Sequence, residues 1–395
     1  LKGEEIRRWI VPKYRFVLLF PYKIVEEKGY RHAVLLSEEE LKKYPRIWSY
    51  LNENRSLLES RERGKLKGDP RWYKYIYEKN HEKFDLPKLL VQVLSNTPTF
   101  ALDEEGKYYF VGGGTAGGNA VLLKEDSGIT LKYLGALLNS SLLDWRVKQI
   151  GSEFEGGFYS YGKASIKDLP IKLPQTDEEK ALAEEIEDTV EEIVELLKKH
   201  HLVKSLWEEW SGKLGNKKLT LKKLIETWEK GVGRIPRERL FFTDIRIISD
   251  EDTEYDGFEL ELEDGILKLL GREKDISMSV LELEGDKEIL EHVYFSILNL
   301  LESRKKVKTL GDILNKTELP TVDGSPEGTK RIVSVIKEKA GVRQLTFSLR
   351  LKKEKEAYLD ALIFKLYGLT KEEAGSVLRG LEVSGDYISR VVNFL

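Results

Sequence analysis

Residues 84–118 read FDLPKLLVQVLSNTPTFALDEEGKYYFVGGGTAGG, and their pattern predicts three short strands. The apolar run at 88–94 is typical of a buried strand, and a polar turn containing Pro98 follows it. Residues 99–102 predict a second strand, and residues 107–111 predict a third strand that ends in glycines. Taken alone, this pattern predicts an ordinary β-meander.

The order of particular residues within this stretch is more specific than its pattern of strands. Pro87-Lys88 precedes the first strand, Thr97-Pro98 precedes the segment at 100–103, and the third segment has the form Gly106-x-Tyr108-Tyr109. This order resembles the core of the target-recognition domain of adenine-N6 DNA methyltransferases. More narrowly, it resembles the TaqI-like C-terminal specificity domain of type IIG restriction-modification proteins.

The resemblance covers residues 1–210 and 355–395 well and the middle of the chain poorly. Four further segments carry it, namely YPRIWSYLNENRSLLESR (44–61), LKYLGALLNSSLLDW (131–145), the Gly-x-Tyr-x-Tyr and Leu-Pro-Ile motifs at 157–171, and LDALIFKLYGLTKEE (359–373). Asn139, within the second segment, is expected to be structural. The base contacts of this family vary with the target sequence, so the resemblance assigns none of them here.

Composition limits the possible classes of protein. The net charge of the 395 residues is -3, but residues 1–175 hold 29 Lys and Arg against 23 Asp and Glu, and the remainder is acidic. This asymmetry fits one nucleic-acid face and one protein-facing part. The chain has no cysteine, no apolar run of transmembrane length and no signal peptide, so we expect a cytoplasmic protein. Scarce glutamine beside abundant Glu and Lys indicates a thermophile.

A basic loop at residues 61–74, RERGKLKGDPRWYK, is the first candidate for DNA contact. One interpretation is an ordinary solvated loop. The other is contact with phosphates by Lys and Arg, with arginine also available for bidentate contacts to guanine. The candidate residues are Arg61, Arg63, Lys65, Lys67, Arg71 and Lys74.

Two other stretches are candidates for DNA contact. VGGGTAGGN at 111–119 lacks the spacing of a Walker A or dinucleotide-binding loop, so we expect either backbone contact with phosphate, at Gly113 and Gly117, or a plain hairpin. Aromatic residues around 154–161 could stack against DNA or seal the sheet. The side chains selected here are Lys148, Tyr159, Tyr161 and Lys163.

The sequence predicts an α+β protein with four parts. A mixed α/β target-recognition domain spans 1–175, and a helical arm spans 176–240. A small domain with an antiparallel sheet and a helix spans 241–354, and a helical segment spans 355–395. Within the first part, residues 15–22 predict a strand buried on both faces, and residues 129–150 predict a helix. Ser37 with Glu40, Thr176 with Glu179 and Thr370 with Glu373 predict capping boxes at helix starts, and Asp264-Gly265 predicts a hairpin turn.

The sequence lacks the motifs of catalysis. No Asn/Asp-Pro-Pro-Tyr/Phe motif, no glycine-rich S-adenosylmethionine loop and no complete Asp…Glu-x-Lys nuclease motif is present, and the five histidines form no ligand cluster. The chain opens on Leu1, and Met278 is its only methionine, so we expect a fragment. The resemblance places catalysis and S-adenosylmethionine in an N-terminal methyltransferase domain of the same protein, which flips the target adenine.

The resemblance implies that this fragment recognises the target sequence in double-stranded DNA and positions the duplex for methylation. One alternative is the specificity region of a phage-defence methyltransferase that has no nuclease. Another alternative, from a different class, is a non-enzymatic scaffold whose acidic second half docks a partner protein.

Overall fold

In the computed structural model, short strands alternate with short helices in the first part of the chain. These elements are β1 (Tyr22–Glu27), β2 (Tyr30–Leu35), α1 (Glu38–Lys42), α2 (Pro45–Glu53), α3 (Arg55–Gly64), β3 (Lys88–Gln92), β4 (Leu94–Ser95), β5 (Ala101–Asp103), β6 (Gly118–Val121), α4 (Leu131–Asn139), α5 (Ser141–Ile150), β7 (Tyr159–Ser160) and α6 (Lys163–Ile166). Helices and small antiparallel sheets occur together, so the predicted α+β class is confirmed.

The structure describes residues 1–11, 14, 16–110, 117–273, 276–303 and 305–395. They form two units. The first unit contains Leu1–Asn139 and Val147–Leu173, and the second contains Ser140–Arg146 and Pro174–Leu395. The division of the later residues into an arm, a small α+β domain and a terminal segment stays a prediction.

A three-stranded antiparallel sheet in the order β5–β3–β6 forms the centre of the first unit. Leu89, Leu90 and Val91 on β3 are fully buried, as their apolar run predicts. The third strand was predicted at residues 107–111, and this prediction is wrong for the described residues 107–110. β6 at Gly118–Val121 pairs with β3 instead.

Residues 107 and 108 do not form a strand because their backbone N–H groups bind the Asp103 carboxylate instead of a neighbouring strand. The backbone N–H groups of Lys107 and Tyr108 donate to Asp103, at 2.8 and 3.1 Å. Gly118 is required in β6 because a Cβ at this position would lie 2.1 Å from the Phe110 ring.

The strand predicted at residues 15–22 is also wrong where it is described. β1 begins only at Tyr22, and Phe16 and Val17 are exposed. β1 pairs with β2 through a two-residue turn at Lys28-Gly29, where both residues have positive φ. Because the backbone twist of such a turn matches the twist of two paired strands, the turn determines where the hairpin forms. The hairpin therefore lies after the apolar residues at 16–20 and does not include them.

Side chains cap the starts of many helices, and the three predicted capping boxes, at Ser37, Thr176 and Thr370, are confirmed. The Ser37 hydroxyl accepts from the Glu40 N–H, and the Glu40 carboxylate accepts from the Ser37 N–H. The helix predicted over 129–150 is divided into α4 and α5. Asn139, at the end of α4, exchanges two hydrogen bonds with the Phe100 backbone, which confirms its structural role.

The second unit combines a long helix with a four-stranded antiparallel sheet in the order β10–β11–β12–β9. Its elements are α7 (Asp177–Leu214), β8 (Lys217–Thr220), α8 (Leu221–Gly231), β9 (Asp244–Ile247), β10 (Gly257–Glu263), β11 (Ile266–Glu273), β12 (Ile276–Glu284), α9 (Lys287–Leu301), α10 (Leu310–Lys316), β13 (Glu318–Thr321), α11 (Pro326–Ala340), α12 (Phe347–Leu366), α13 (Lys371–Gly380) and α14 (Gly385–Phe394). The predicted Asp264-Gly265 hairpin turn is confirmed, and both of its residues have positive φ.

One buried carboxylate joins three helices of this unit. Asp360 on α12 is 2% exposed. It accepts from the backbone N–H and the hydroxyl of Ser141, at 2.9 and 2.5 Å, and from the Tyr387 hydroxyl at 2.7 Å. The start of α5 is therefore tied to α12 and α14 by one acceptor.

His292 joins α7, α9 and β13 inside the largest apolar core of the second unit. The Trp207 indole N–H, which can only donate, lies 3.1 Å from His292 Nδ1. The ring proton is therefore on Nε2, which donates to the Pro320 carbonyl at 2.8 Å. Burial lowers the pKa of His292 to about 4, so the imidazole is neutral at neutral pH.

Acidification should destabilise the second unit in the pH range between the pKa of His292 in the unfolded chain and its lower pKa in the folded chain. The unfolded imidazole titrates near pH 6.5 and the folded one near pH 4, so the unfolded state binds more protons in this window and stability falls as the pH falls through it. The loss from His292 is on the order of 3 kcal/mol. Urea unfolding measured from about pH 7 to about pH 4.5 should show it.

The variant His292→Gln should show a shallower decline over the same range, while His32→Gln at an exposed position should match the wild type. Some decline should remain, because burial also lowers the pKa of His200 to about 4. An unchanged slope in His292→Gln would contradict this account.

Candidate nucleic-acid interface

The ion pair between Lys88 and Asp103 fixes the wall of a cleft in the first unit. These residues face each other across β3 and β5, and Lys88 Nζ lies 2.7 Å from Asp103 Oδ2. Lys88 also donates to the carbonyl oxygens of Phe84 and Leu86, at 2.8 and 3.2 Å. Both charged side chains are almost fully buried, so Lys88 builds the cleft and is not available to a ligand.

The cleft is open, measures about 1110 Å³, and is lined mainly by aromatic and basic side chains. The Phe84 ring lies 5.4 Å from the rings of both Phe20 and Tyr109. Burial raises the pKa of Tyr75 to about 12, so its hydroxyl stays protonated and donates to the Leu19 carbonyl. These contacts hold the aromatic wall in place without a ligand.

Arg61 is one of the predicted contact residues, and its guanidinium is used by the protein itself. Nε donates to the carbonyl of Leu58 at 2.8 Å, and one terminal nitrogen donates to the carbonyls of Trp72 and Lys74 at 3.2 and 2.9 Å. Burial lowers the pKa of Arg61. Arg61 therefore closes the basic loop on itself, and we leave it out of the proposed contact surface.

The other basic residues of the loop divide into two groups. Arg71 and Lys74 both lie beside Asp69, with nearest distances of 3.4 and 3.1 Å. The Arg71 backbone N–H and the Lys74 ammonium hold the pKa of Asp69 below its usual value. One carboxylate therefore partly neutralises this end of the loop.

The second group consists of Arg63, Lys65 and Lys67, which are all exposed. Lys65 Nζ lies 5.4 Å from the centre of the Tyr77 ring, which is itself 63% exposed. Within the described part of the chain, no acidic side chain pairs with any of the three. Leu66, 2% exposed, anchors the backbone between the two lysines.

The four contact residues predicted after α4 do not all lie on the surface. Lys148 Nζ lies 5.8 Å from the centre of the Tyr159 ring, and Lys163 is exposed at the start of α6. Tyr161 is 1% exposed and packs edge-to-face on Phe100, so it belongs to the core. We therefore leave Tyr161 out of the proposed surface.

The glycine-rich prediction lies largely beyond the described residues. Gly113 is outside them, and Gly117 is buried directly before β6. Gly118 lines the cleft together with Arg61. The proposed backbone contacts of Gly113 and Gly117 with phosphate stay a prediction.

Sequence reasoning missed several residues at the edge of the cleft. Tyr77, Lys79 and Lys83 are exposed and line it, although only the preceding loop was selected. The signal was present in residues 75–84, YIYEKNHEKF, where aromatic and basic residues alternate. Such alternation is typical of surfaces that combine base stacking with phosphate contact.

Neither a metal site nor a membrane span is found in the described part of the chain. No three His, Asp or Glu side chains come together there in a way that could hold a metal ion. Each described helix is too short or too polar to cross a bilayer.

Residues 1–171 match the family model of the TaqI-like C-terminal specificity domain. This match coincides with the segment that forms the sheet, the basic loop and the cleft, and it confirms the resemblance over these residues. The resemblance of residues 172–210 and 355–395 stays a prediction. The match covers less than half of the chain, and nearly all of the second unit lies outside it.

Two known proteins are similar to this chain. The type II restriction enzyme and methyltransferase RM.Eco57I of Escherichia coli is 29% identical over 179 residues, which is 44% of this chain and 17% of that relative. The type I restriction-modification S subunit from M. genitalium is 14% identical with a TM-score of 0.34, over 72% of this chain and 84% of that one. At that TM-score the structural likeness supports no argument.

The variant Asp103→Asn should destabilise the first unit by about 3–5 kcal/mol, because it leaves the Lys88 ammonium buried without its counter-ion. Thermal unfolding followed by circular dichroism measures this loss. Replacing Lys88 by Met in the same chain should recover part of it, since no buried charge then remains.

The matched control is Glu105→Gln, which removes an exposed ion pair with Lys107 in the adjacent turn. It should leave the unfolding temperature unchanged. If Asp103→Asn proves as harmless as Glu105→Gln, the buried pair does not stabilise the cleft.

Proposed function

We propose that the first unit recognises a target sequence in double-stranded DNA, as the specificity part of a restriction-modification enzyme. The observation that carries this proposal is that Arg63, Lys65 and Lys67 project from the loop that borders the aromatic cleft, with no acidic partner in the described chain. The match to a specificity domain over the same residues supports it.

The chemistry of the surface fits a duplex. Lysine ammonium groups contact backbone phosphates and release counter-ions, which gives affinity but no sequence information. Arginine and the exposed ring of Tyr77 offer groups that bind base edges or stack on bases. Lys79 and Lys83 add two exposed ammonium groups to the edge of the cleft beyond the loop, and Lys83 lies 3.9 Å from the Glu82 carboxylate.

We further propose that the parent protein is a type IIG-like adenine-N6 methyltransferase that uses S-adenosylmethionine. The name of the Escherichia coli relative supports methyltransferase and restriction activities for a longer protein, and the match spans 17% of that relative. The described residues offer no glycine-rich loop between a strand and a helix for this cofactor. The N-terminal methyltransferase domain of the parent protein would therefore hold S-adenosylmethionine. This chain would hold and orient the duplex.

The triple variant Arg63→Gln, Lys65→Gln, Lys67→Gln should weaken duplex binding about tenfold or more at moderate salt. The slope of log affinity against log salt should become shallower by roughly two to three, because each lost phosphate contact removes about 0.9. Fluorescence anisotropy with a labelled duplex, repeated over a salt series, measures both quantities.

The control is Lys230→Gln, Arg234→Gln, Lys371→Gln, which removes the same charge from exposed positions of the second unit. It should bind like the wild type. If the two triple variants weaken binding equally, the basic loop is not the contact surface. If the wild type binds duplex without salt dependence, the proposed function is wrong.

A further inference from the structure

The backbone of the basic loop adopts a costly conformation where Arg63 leaves it. Within the bounds of α3 the backbone ceases to be helical at Arg61, and Glu62 and Arg63 have φ values of 47° and 62°, followed by Gly64 at 81°. Residues other than glycine rarely adopt this left-handed region, because their Cβ then lies too close to the following carbonyl oxygen. Such strain persists only where the surroundings enforce it, and it is concentrated at functional sites.

Two described features enforce this turn. The Arg61 guanidinium binds three carbonyl oxygens on both sides of the loop, as given above. Trp72, to whose carbonyl it donates, is fully buried and packs with Trp48 and Tyr73. The position from which the Arg63 side chain projects is therefore fixed before any ligand arrives.

Among the three arginines of the loop, Arg63 is the one whose guanidinium meets no partner in the described part of the chain, and of the lysines Lys67 meets none there either. Arg61 binds carbonyl oxygens, Arg71 and Lys74 share Asp69, and Lys65 lies over Tyr77. Arg63 keeps its five N–H donors exposed on a fixed backbone.

We propose that Arg63 reads guanine in the target sequence, through paired hydrogen bonds to O6 and N7 in the major groove. The proposal rests on the proposed function above. A planar guanidinium matches these two acceptors in a way that a lysine ammonium cannot, whereas a phosphate accepts either cation. The flanking residues Lys65 and Lys67 then supply phosphate contacts, which set affinity and orientation.

The experiment selects preferred duplexes from a randomised library with the full chain and with Arg63→Lys. This variant keeps the charge and the backbone but loses the planar fork, and circular dichroism checks its fold. We expect the wild type to select a motif containing guanine and Arg63→Lys to lose preference at one guanine, by about 5- to 150-fold. Its affinity for random duplex should stay within about twofold.

The conservative variants Lys65→Arg and Lys67→Arg should select the wild-type motif, since both keep a phosphate contact. If Arg63→Lys selects the same motif with the same discrimination, Arg63 does not read a base, and the proposed function stands. If the wild type selects no motif at all, both this inference and the proposed function are wrong.

Discussion

The buried ion pair of Lys88 and Asp103 is the constraint on which the rest of the first unit depends. Its partners lie on neighbouring strands, and each also holds a loop: Lys88 binds the carbonyl oxygens of residues 84 and 86, and Asp103 binds the amides of residues 107 and 108. Removing two charges from water is costly, and the further hydrogen bonds that both side chains make to the backbone offset part of that cost. Here it holds both aromatic segments that line the cleft.

The Arg61 guanidinium fixes the basic loop in a comparable way. It donates to three carbonyl oxygens on both sides of the left-handed turn at Glu62 and Arg63. The two devices together divide the basic residues of this unit by role. Lys88 and Arg61 bind groups of the protein itself, and Asp69 partly neutralises Arg71 and Lys74. The other basic side chains of the loop are exposed to solvent beside the cleft. A small number of exposed cations is therefore available for the proposed DNA contact, although the net charge of the chain is slightly negative.

The sequence predicted well those helix caps and turns whose hydrogen-bonding partners are close in the chain. The capping boxes at Ser37, Thr176 and Thr370 and the turn at Asp264-Gly265 are confirmed, because their partners lie within four residues. The third strand was misplaced since its amides bind a side chain and not a strand, which no period-two pattern reveals. The roles of Arg61 and Tyr161 depended in the same way on distant partners, so charge and aromatic character alone could not separate core from surface.

Hydrogen–deuterium exchange of the full chain, with and without bound duplex, tests the central claim most directly. The account predicts slower exchange in peptides covering residues 61–67 and 75–84, where the loop and the cleft edge would meet DNA. Exchange in the sheet of the second unit, β9 to β12, should stay unchanged. Slower exchange confined to the second unit, or none in residues 61–84, would contradict the account.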